Sequence, residues 1–435
     1  MKVVGLVTEY NPFHNGHKYH IEQAKEITGA NYVIAVMSGN FVQRGAPALI
    51  DKYSRTIMAL ENGVDLVLEL PVCYATASAE YFAHGAISIL DKIGVVDTLC
   101  FGSECGDLTE LSAAARFLLD SPTAFEQQLS EHLRDGFTYP AARAKAMEQY
   151  LAATDSTAKH TLSAILTEPN NILGIEYMKA LINFSSTIKP FTIKRIAAHY
   201  HEKELSSSLQ VTKEDADMAV PIISSATALR RAIFEDVGAN EDFLSTVMQS
   251  VPPTVARQLT DQYQITYPIS EEDFASILRY KLRMEDSKAL STYLDITPDL
   301  AERLKNSRDY NVSIADFLQN IKTKNMTLTR INRAFLHILL NIKTDAIKSY
   351  QENGWTPYAR ILGIRKEATP LLRLIEKRSS IPMIKKLSKA EKQLTKVGIQ
   401  MLSEDIIAAD IYHQAVYEKY GTKLVNEYQH GICIR

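Results

Sequence analysis

The sequence predicts an α/β protein: a doubly wound parallel sheet followed by a mainly helical C-terminal region. Three observations predict it. Short apolar runs alternate with helix-period segments over the first hundred residues. Turn residues and helix-start signals separate these runs. From about Asn240 to the end the pattern is helical, with no further βα rhythm.

The first unit is the stretch VVGLVTEYNPFHNGHKYH. Residues 3–7 are an apolar run that reads as a buried strand. A loop with Asn11-Pro12 follows, and His14-Asn15-Gly16-His17 opens a helix carried by Tyr19, Ile21, Ala24 and Ile27. Residues 31–38 are a second strand, 51–62 a helix that Asp51 and Lys52 cap, and 64–70 a third strand. Residues 78–93 are a helix and 95–101 a fourth strand. Residues 108–184 are mainly helical, punctuated by Pro122, Pro140 and Pro169. Residues 191–197 form a late strand, and the Ser/Thr cluster from Ser224 opens another helix. Short βα units in series imply a Rossmann-like sheet with ligands at its carboxyl edge. A boundary near 235–250 divides the chain into residues 1–240, an α/β domain with a helical insertion, and 241–435, helical and locally basic.

Composition narrows the function. The chain has 435 residues, long enough for two or three domains. Its 46% apolar and 23% charged content is that of an ordinary soluble globular protein. A net charge of −3 excludes polyanion binding by bulk charge, so any nucleic-acid surface is a local patch. Cys73, Cys100, Cys105 and Cys433 lack CxxC spacing, which argues against zinc or a disulfide framework. No basic leader with an apolar core opens the chain, and no run of 18 apolar residues exists. A cytoplasmic protein with no membrane partner is expected.

A local excess does appear late. Ten Lys/Arg between Arg365 and Lys396 face three Glu, and Lys385, Lys386 and Lys389 lie close together. Lys322, Lys324, Arg330 and Arg333 form a second basic cluster. A solvated helix face explains such a run, and so does an RNA-backbone surface. Aromatic partners are thin there, with Trp355 and Tyr358 the nearest, which suits phosphate contacts better than splayed bases.

The chemistry concentrates at strand ends. A strand, loop and helix start place free N–H groups and a positive dipole end at the sheet edge, which suits a phosphate. Gly16 lets backbone approach a ligand, and His14 and His17 flank it as hydrogen-bond donors. Ile223-Ser224-Ser225-Ala226-Thr227-Ala228-Leu229-Arg230 is a Ser/Thr-rich helix start followed by a cation, the residue types of an ordinary N-cap and equally of a second hold on a triphosphate, with Ser224 and Ser225 as hydroxyl donors and Arg230 as charge clamp. The loop from Ser38 carries Gly39, Asn40 and Arg44, which suits a carboxylate or a phosphate. Glu9 is a candidate beside a Mg2+–triphosphate; no metal ligand set is assigned. Neither GxxxxGK[ST] nor GxGxxG occurs in the α/β part.

The HxGH pattern directly after the first strand resembles the nucleotidylyltransferase superfamily, and ISSATALR resembles its ISSTxxR element. Together, GLVTEYNPFHNGH, VMSGNFVQRG, CFGSE, PNNILG, TIKRIAAHYH and ISSATALR resemble the bacterial tRNA(Met) cytidine acetate ligase family over about the first 235 residues. Further likeness lies around TLTRINRAFLHILL. The resemblance implies an enzyme that makes acetyl-adenylate from ATP and acetate, then acetylates N4 of the wobble cytidine in elongator tRNA(Met). It implies ATP contacts at Val7, Thr8, Glu9, Tyr10, Asn11, Pro12, Phe13, His14, Asn15, Gly16, His17, Lys18, Tyr19, His20, Gly102, Asn170 and Arg195. Acetate is expected at Gly39, Asn40 and Arg44, tRNA at Arg330, Arg333, Lys385, Lys386 and Lys389, and no DNA. Two other classes stay open on the residues alone: a small-molecule adenylyltransferase of cofactor synthesis, and a nucleotide-responsive RNA-binding protein without catalysis.

Overall fold

The computed structural model describes residues 1–153, 165–195, 224–235, 247–307 and 312–435. The end of the expected strand at 191–197, residue 223, and most of the 235–250 boundary zone lie outside them. Seven strands form one path ordered β10 (Cys433–Ile434), β8 (Ala359–Ile364), β5 (Leu66–Leu70), β2 (Tyr32–Ser38), β1 (Val3–Thr8), β6 (Thr98–Ser103) and β7 (Lys189–Lys194); β9 (Met383–Ile384) pairs with β8. A small antiparallel pair, β3 (Phe41–Val42) and β4 (Ala46–Pro47), lies apart.

From β5 to β7 all pairs are parallel, with Gly5 level with Ile34 on one side and Leu99 on the other. The connection after β1 leads to β2, and the later one leads to β6 on β1's opposite side. That makes the carboxyl end of β1 the switch point, where ligands bind in open α/β sheets. The alternation of each strand divides its residues between two layers. Val3, Ile34, Val36, Leu66 and Leu68 pack with the helix Ala79–Lys92. Val4, Leu6, Val33, Ala35 and Val67 pack with α1 (Asn15–Thr28) and α2 (Lys52–Glu61). Asp51 caps α2 as expected, its Oδ1 accepting from the N–H groups of Tyr53 at 2.8 Å and Ser54 at 3.0 Å.

The remainder is mainly helical, with an addition the sequence pattern did not reveal. Strands β8, β9 and β10 return to the same sheet, β8 antiparallel to β5. ARILGI is a short, mostly apolar run carrying Arg360, and periodicity cannot tell such a run from a buried helix turn. Residues beyond 241 are therefore joined to the main sheet rather than set beside it. His337 adds a second join: its ring nitrogens lie 2.9 Å from the Leu294 carbonyl and 3.1 Å from that of Thr76. No helix among the described residues is long and apolar enough to cross a membrane.

Candidate active site

The loop after β1 is built to turn sharply. Tyr10 adopts a left-handed φ of 50°, and the Asn11–Pro12 peptide is cis. The Tyr10 ring is buried against Phe13 at 4.8 Å and His17 at 4.9 Å between centroids. His14 occupies the N-cap of α1, and its N–H donates to His17 Nδ1 at 3.2 Å. A nitrogen that accepts carries no proton, so His17 keeps its proton on Nε2. The two imidazoles stack at 3.7 Å. Burial, then the charges of Arg195 and Arg230, push His14 down to about 3. Burial and Arg195 push His20 down to about 4. Burial, with His14, His20 and Arg195, holds His17 well below the usual histidine range. All three are neutral hydrogen-bonding groups at pH 7.

The second half of the grip arrives from over two hundred residues away, as the sequence suggests. Ser225 Oγ accepts from Ala228 N–H at 3.1 Å and starts the helix Ala226–Glu235. Arg230 then donates from Nη1 to the Asn11 carbonyl at 2.8 Å and from Nη2 to Thr227 Oγ1 at 3.1 Å. Its guanidinium is thus fixed against the loop that leads to His14. Ser224 Oγ lies 2.9 Å from Ser250 Oγ. Gln249 and Ser250 were not read as site residues. Their carbonyls accept from Asn15 Nδ2 at 3.0 Å and Asn15 N–H at 3.0 Å, docking a later segment on the start of α1. Backbone acceptors leave no mark in a side-chain pattern.

Gly102, Asn170 and Arg195 also come together. Glu104 follows β6 and caps the helix Pro169–Asn183, its carboxylate accepting from Asn170 Nδ2 at 2.6 Å and Asn171 N–H at 2.8 Å. Asn171 Oδ1 in turn accepts from the N–H groups of Glu104 and Cys105 at 3.0 and 3.1 Å. Arg195 N–H donates to the Ser103 carbonyl at 2.9 Å. A Cβ on Gly102 would stand 3.3 Å from Arg195 Cγ, so the arginine stem lies along that glycine. Within the 7–20 stretch, Phe13 is wholly buried and serves the core, and Lys18 faces out.

The Gly39–Gly45 loop lies beside β1. Glu9 Oε1 accepts from Gln43 N–H at 2.9 Å, and Asn11 Oδ1 accepts from Leu49 N–H at 2.7 Å, tying this loop to the first. Glu9 is thereby engaged by the chain itself. The described residues gather no group of three or more His, Cys, Asp or Glu that could hold a metal ion. Gly45 has φ +80°, and a Cβ there would lie 2.3 Å from Arg333 N, so only glycine fits.

The basic candidates separate by environment. Arg333 donates from Nε to Asp295 at 2.9 Å and serves as an internal pair. Arg330 is half-buried on the same helix, Leu328–Leu339. Lys385, Lys386 and Lys389 are exposed and line a surface pocket of about 500 Å3 with Glu376, Ser379 and Gln393; Lys385 pairs with Glu376. Strand β9 precedes them and pairs with the first residues of β8, level with the end of β5. Four strand steps of about 4.8 Å therefore separate β1 from β9, about 19 Å in all.

Three neutral histidines, a helix N-terminus and a fixed arginine meet at the switch point, and the chain matches the model of the HIGH nucleotidyl transferase family over residues 1–427. It is 38% identical to the tRNA(Met) cytidine acetate ligase of Halothermothrix orenii, covering 95% of this chain and 94% of that one. It is 37% identical to the enzyme of the same name from Acetivibrio thermocellus over 100% of both. The crystal structure of Thermotoga maritima TmcAL bound with alpha-thio ATP superposes with a TM-score of 0.87 at 30% identity, covering 100% of this chain and 99% of that one. The chain belongs to the tRNA(Met) cytidine acetate ligase family.

Proposed function

We propose that this protein activates acetate with ATP, forming acetyl-adenylate and pyrophosphate, and transfers the acetyl group to N4 of the wobble cytidine of elongator tRNA(Met). The observation that carries the reading is the convergence of His14, His17 and Arg230 on one loop at the switch point. Adenylyl transfer asks the protein for positioning and charge stabilisation rather than covalent chemistry. His17 Nε2 offers a neutral N–H to the α/β phosphates, and Arg230 clamps the departing pyrophosphate. Ser224 and Ser225 sit at the opposing helix start. Gly102, Asn170 and Arg195 line the adenosine side. ATP enters as substrate, accompanied by Mg2+. Acetate sits at the loop of Gly39, Asn40 and Arg44.

Residues 1–240 act as the catalytic half in this reading, and 241–435 present the RNA surface. Arg330 and the Lys385–Lys386–Lys389 cluster contact tRNA phosphates; Arg333, committed to Asp295, supports the loop by packing against Gly45.

The direct test is ATP–pyrophosphate exchange with and without acetate, then with tRNA added. Acetate-dependent exchange supports carboxylate activation, and exchange that ignores acetate under both conditions sinks it. Lys385→Glu, Lys386→Glu and Lys389→Glu together are expected to slow acetyl transfer to tRNA more than tenfold and leave exchange intact. The salt dependence of tRNA binding should flatten by roughly one unit of log–log slope per lost phosphate contact. Equal loss of both steps would place the lysines in folding rather than RNA binding.

A further inference from the structure

Two polar side-chain atoms at the carboxyl end of β2 are buried without a hydrogen-bond partner. Ser38 Oγ is on a residue with 0% exposure, and Asn40 Nδ2 on one with 4%. A buried polar group left unmet costs about 1–3 kcal/mol, so two within three residues require a reason. The surrounding bonds show that neither is loose. Asn40 Oδ1 accepts from Lys52 N–H at 2.8 Å, and the Asn40 carbonyl accepts from Ala48 N–H at 2.8 Å. With its oxygen pinned, the amide can present Nδ2 in only one direction.

Arg55 fixes the backbone beneath. This side chain is fully buried and donates to four carbonyls: Ile50 at 3.0 Å, Glu9 at 2.7 Å, Ser38 at 3.1 Å and Gly39. In a trans peptide the N–H points opposite its carbonyl. Drawing the Ser38 and Gly39 carbonyls towards Arg55 therefore turns the N–H groups of Gly39 and Asn40 away from it. Glu9 belongs to the phosphate loop, so the same guanidinium sets that loop against the β2 loop.

We propose that Asn40 Nδ2, backed by Ser38 Oγ, is the hydrogen-bond donor for the acetyl oxygen, and that Arg55 is the positioning residue that holds this donor pair beside the triphosphate. The inference rests on the acetate reading above and adds a role at named atoms. In the first step a carboxylate oxygen attacks the α-phosphorus, the P–O bond to pyrophosphate breaks, and the donors hold the other carboxylate oxygen. In the second, the cytidine amine forms an N–C bond to the acetyl carbon and the carbonyl oxygen takes up the negative charge. The C–O bond to AMP then breaks, AMP leaves with the electron pair, and the surplus amine proton passes to water. A donor aimed at that oxygen stabilises the charge as it develops.

The test uses the full chain with Asn40→Asp, Asn40→Ala and Arg55→Lys. Asn40→Asp keeps the oxygen that Lys52 binds and removes the donor. Asn40→Ala, which adds no charge, should keep its ATP dissociation constant within threefold of the parent, and acetate-dependent exchange should fall on the order of 10²-fold or more in both Asn40 variants. Transfer to tRNA from supplied acetyl-adenylate should fall as far. Arg55→Lys should raise the acetate KM more than it weakens ATP binding; a role limited to stability would lower the folded fraction without moving KM. Exchange and transfer within threefold of the parent in folded Asn40 variants would overturn the inference and leave the ligase reading standing. A parent without acetate-dependent exchange would overturn both.

Discussion

Arg360→Ala is expected to destabilise the protein by about 3–5 kcal/mol, the cost of stranding a buried carboxylate. Arg360 and Lys52 form a buried quartet with Glu69 and Glu427. Lys52 Nζ lies 2.7 Å from Glu69 and 2.9 Å from Glu427; Arg360 lies 3.0 Å from Glu69 and 2.5 Å from Glu427. Two cations and two anions balance, and each anion touches both cations. The four residues come from α2, β5, β8 and the tail before β10, so the quartet closes the sheet edge that the late strands complete. Burial raises the Glu427 carboxyl, but Lys52 and Arg360 outweigh it and hold it down at about 2. A lowered folded pKa adds stability that is present above the ordinary value of 4.5 and is lost as pH falls towards 2. Denaturant midpoints at pH 7, and the acid limb below 4.5, measure both effects. In the alanine variant the acid transition should move to higher pH. The paired change Arg360→Met with Glu427→Gln should cost less than the sum of the two single changes, because it leaves Lys52 and Glu69 matched. A single-variant loss under 1 kcal/mol would show that water reaches the quartet.

That quartet marks how far the sequence could be read. Strands β1, β2, β5 and β6 were legible because parallel strands buried on both faces read as apolar runs between turn signals. The meeting of the β1 loop with the helix start at Ser224 was legible because its side chains are of unusual type, the histidines around Gly16 and the Ser/Thr cluster before Arg230. Glu69 carried a signal that went unused: a carboxylate inside VLEL, an otherwise apolar strand, demands a cation. Its partners Lys52, Arg360 and Glu427 are spread over more than 350 residues, and no local window holds them together. The same separation hid the docking of Ser250 on Asn15. Strand β8 was missed because it is short and enters from a helical stretch, where its apolar run has the length of either element.

His17→Asn is expected to lower acetate-dependent exchange by roughly 10²–10³-fold with the fold intact. His17 has two separable jobs. Its Nδ1 accepts from His14 N–H and finishes the start of α1; its Nε2–H is the donor left for phosphate. Asparagine places an oxygen near the Nδ1 position and nothing at Nε2, so it keeps the cap and removes the donor. Glutamine reaches the Nε2 position and gives up the cap, so His17→Gln should retain more activity and lose about 1 kcal/mol of stability. The reverse pattern would make His17 a structural cap alone. Neutrality sets the pH dependence. With His14 pushed to about 3 and His20 to about 4, none of the three histidines changes charge between pH 6 and 8. The kcat/KM for ATP should carry no ionisation from them in that window, and a histidine titration near 6.5 would contradict the buried, neutral cradle. Stability follows with a definite sign. The unfolded chain takes up protons at these histidines as pH falls below about 6.5, and the folded chain does not, so their contribution is full above that pH and declines towards pH 4. A phosphate drawn into the cradle reverses part of this, because its negative charge favours the protonated imidazole. ATP binding should therefore take up protons, most of all at the acid end, and calorimetry in buffers of different ionisation enthalpy would read that uptake directly.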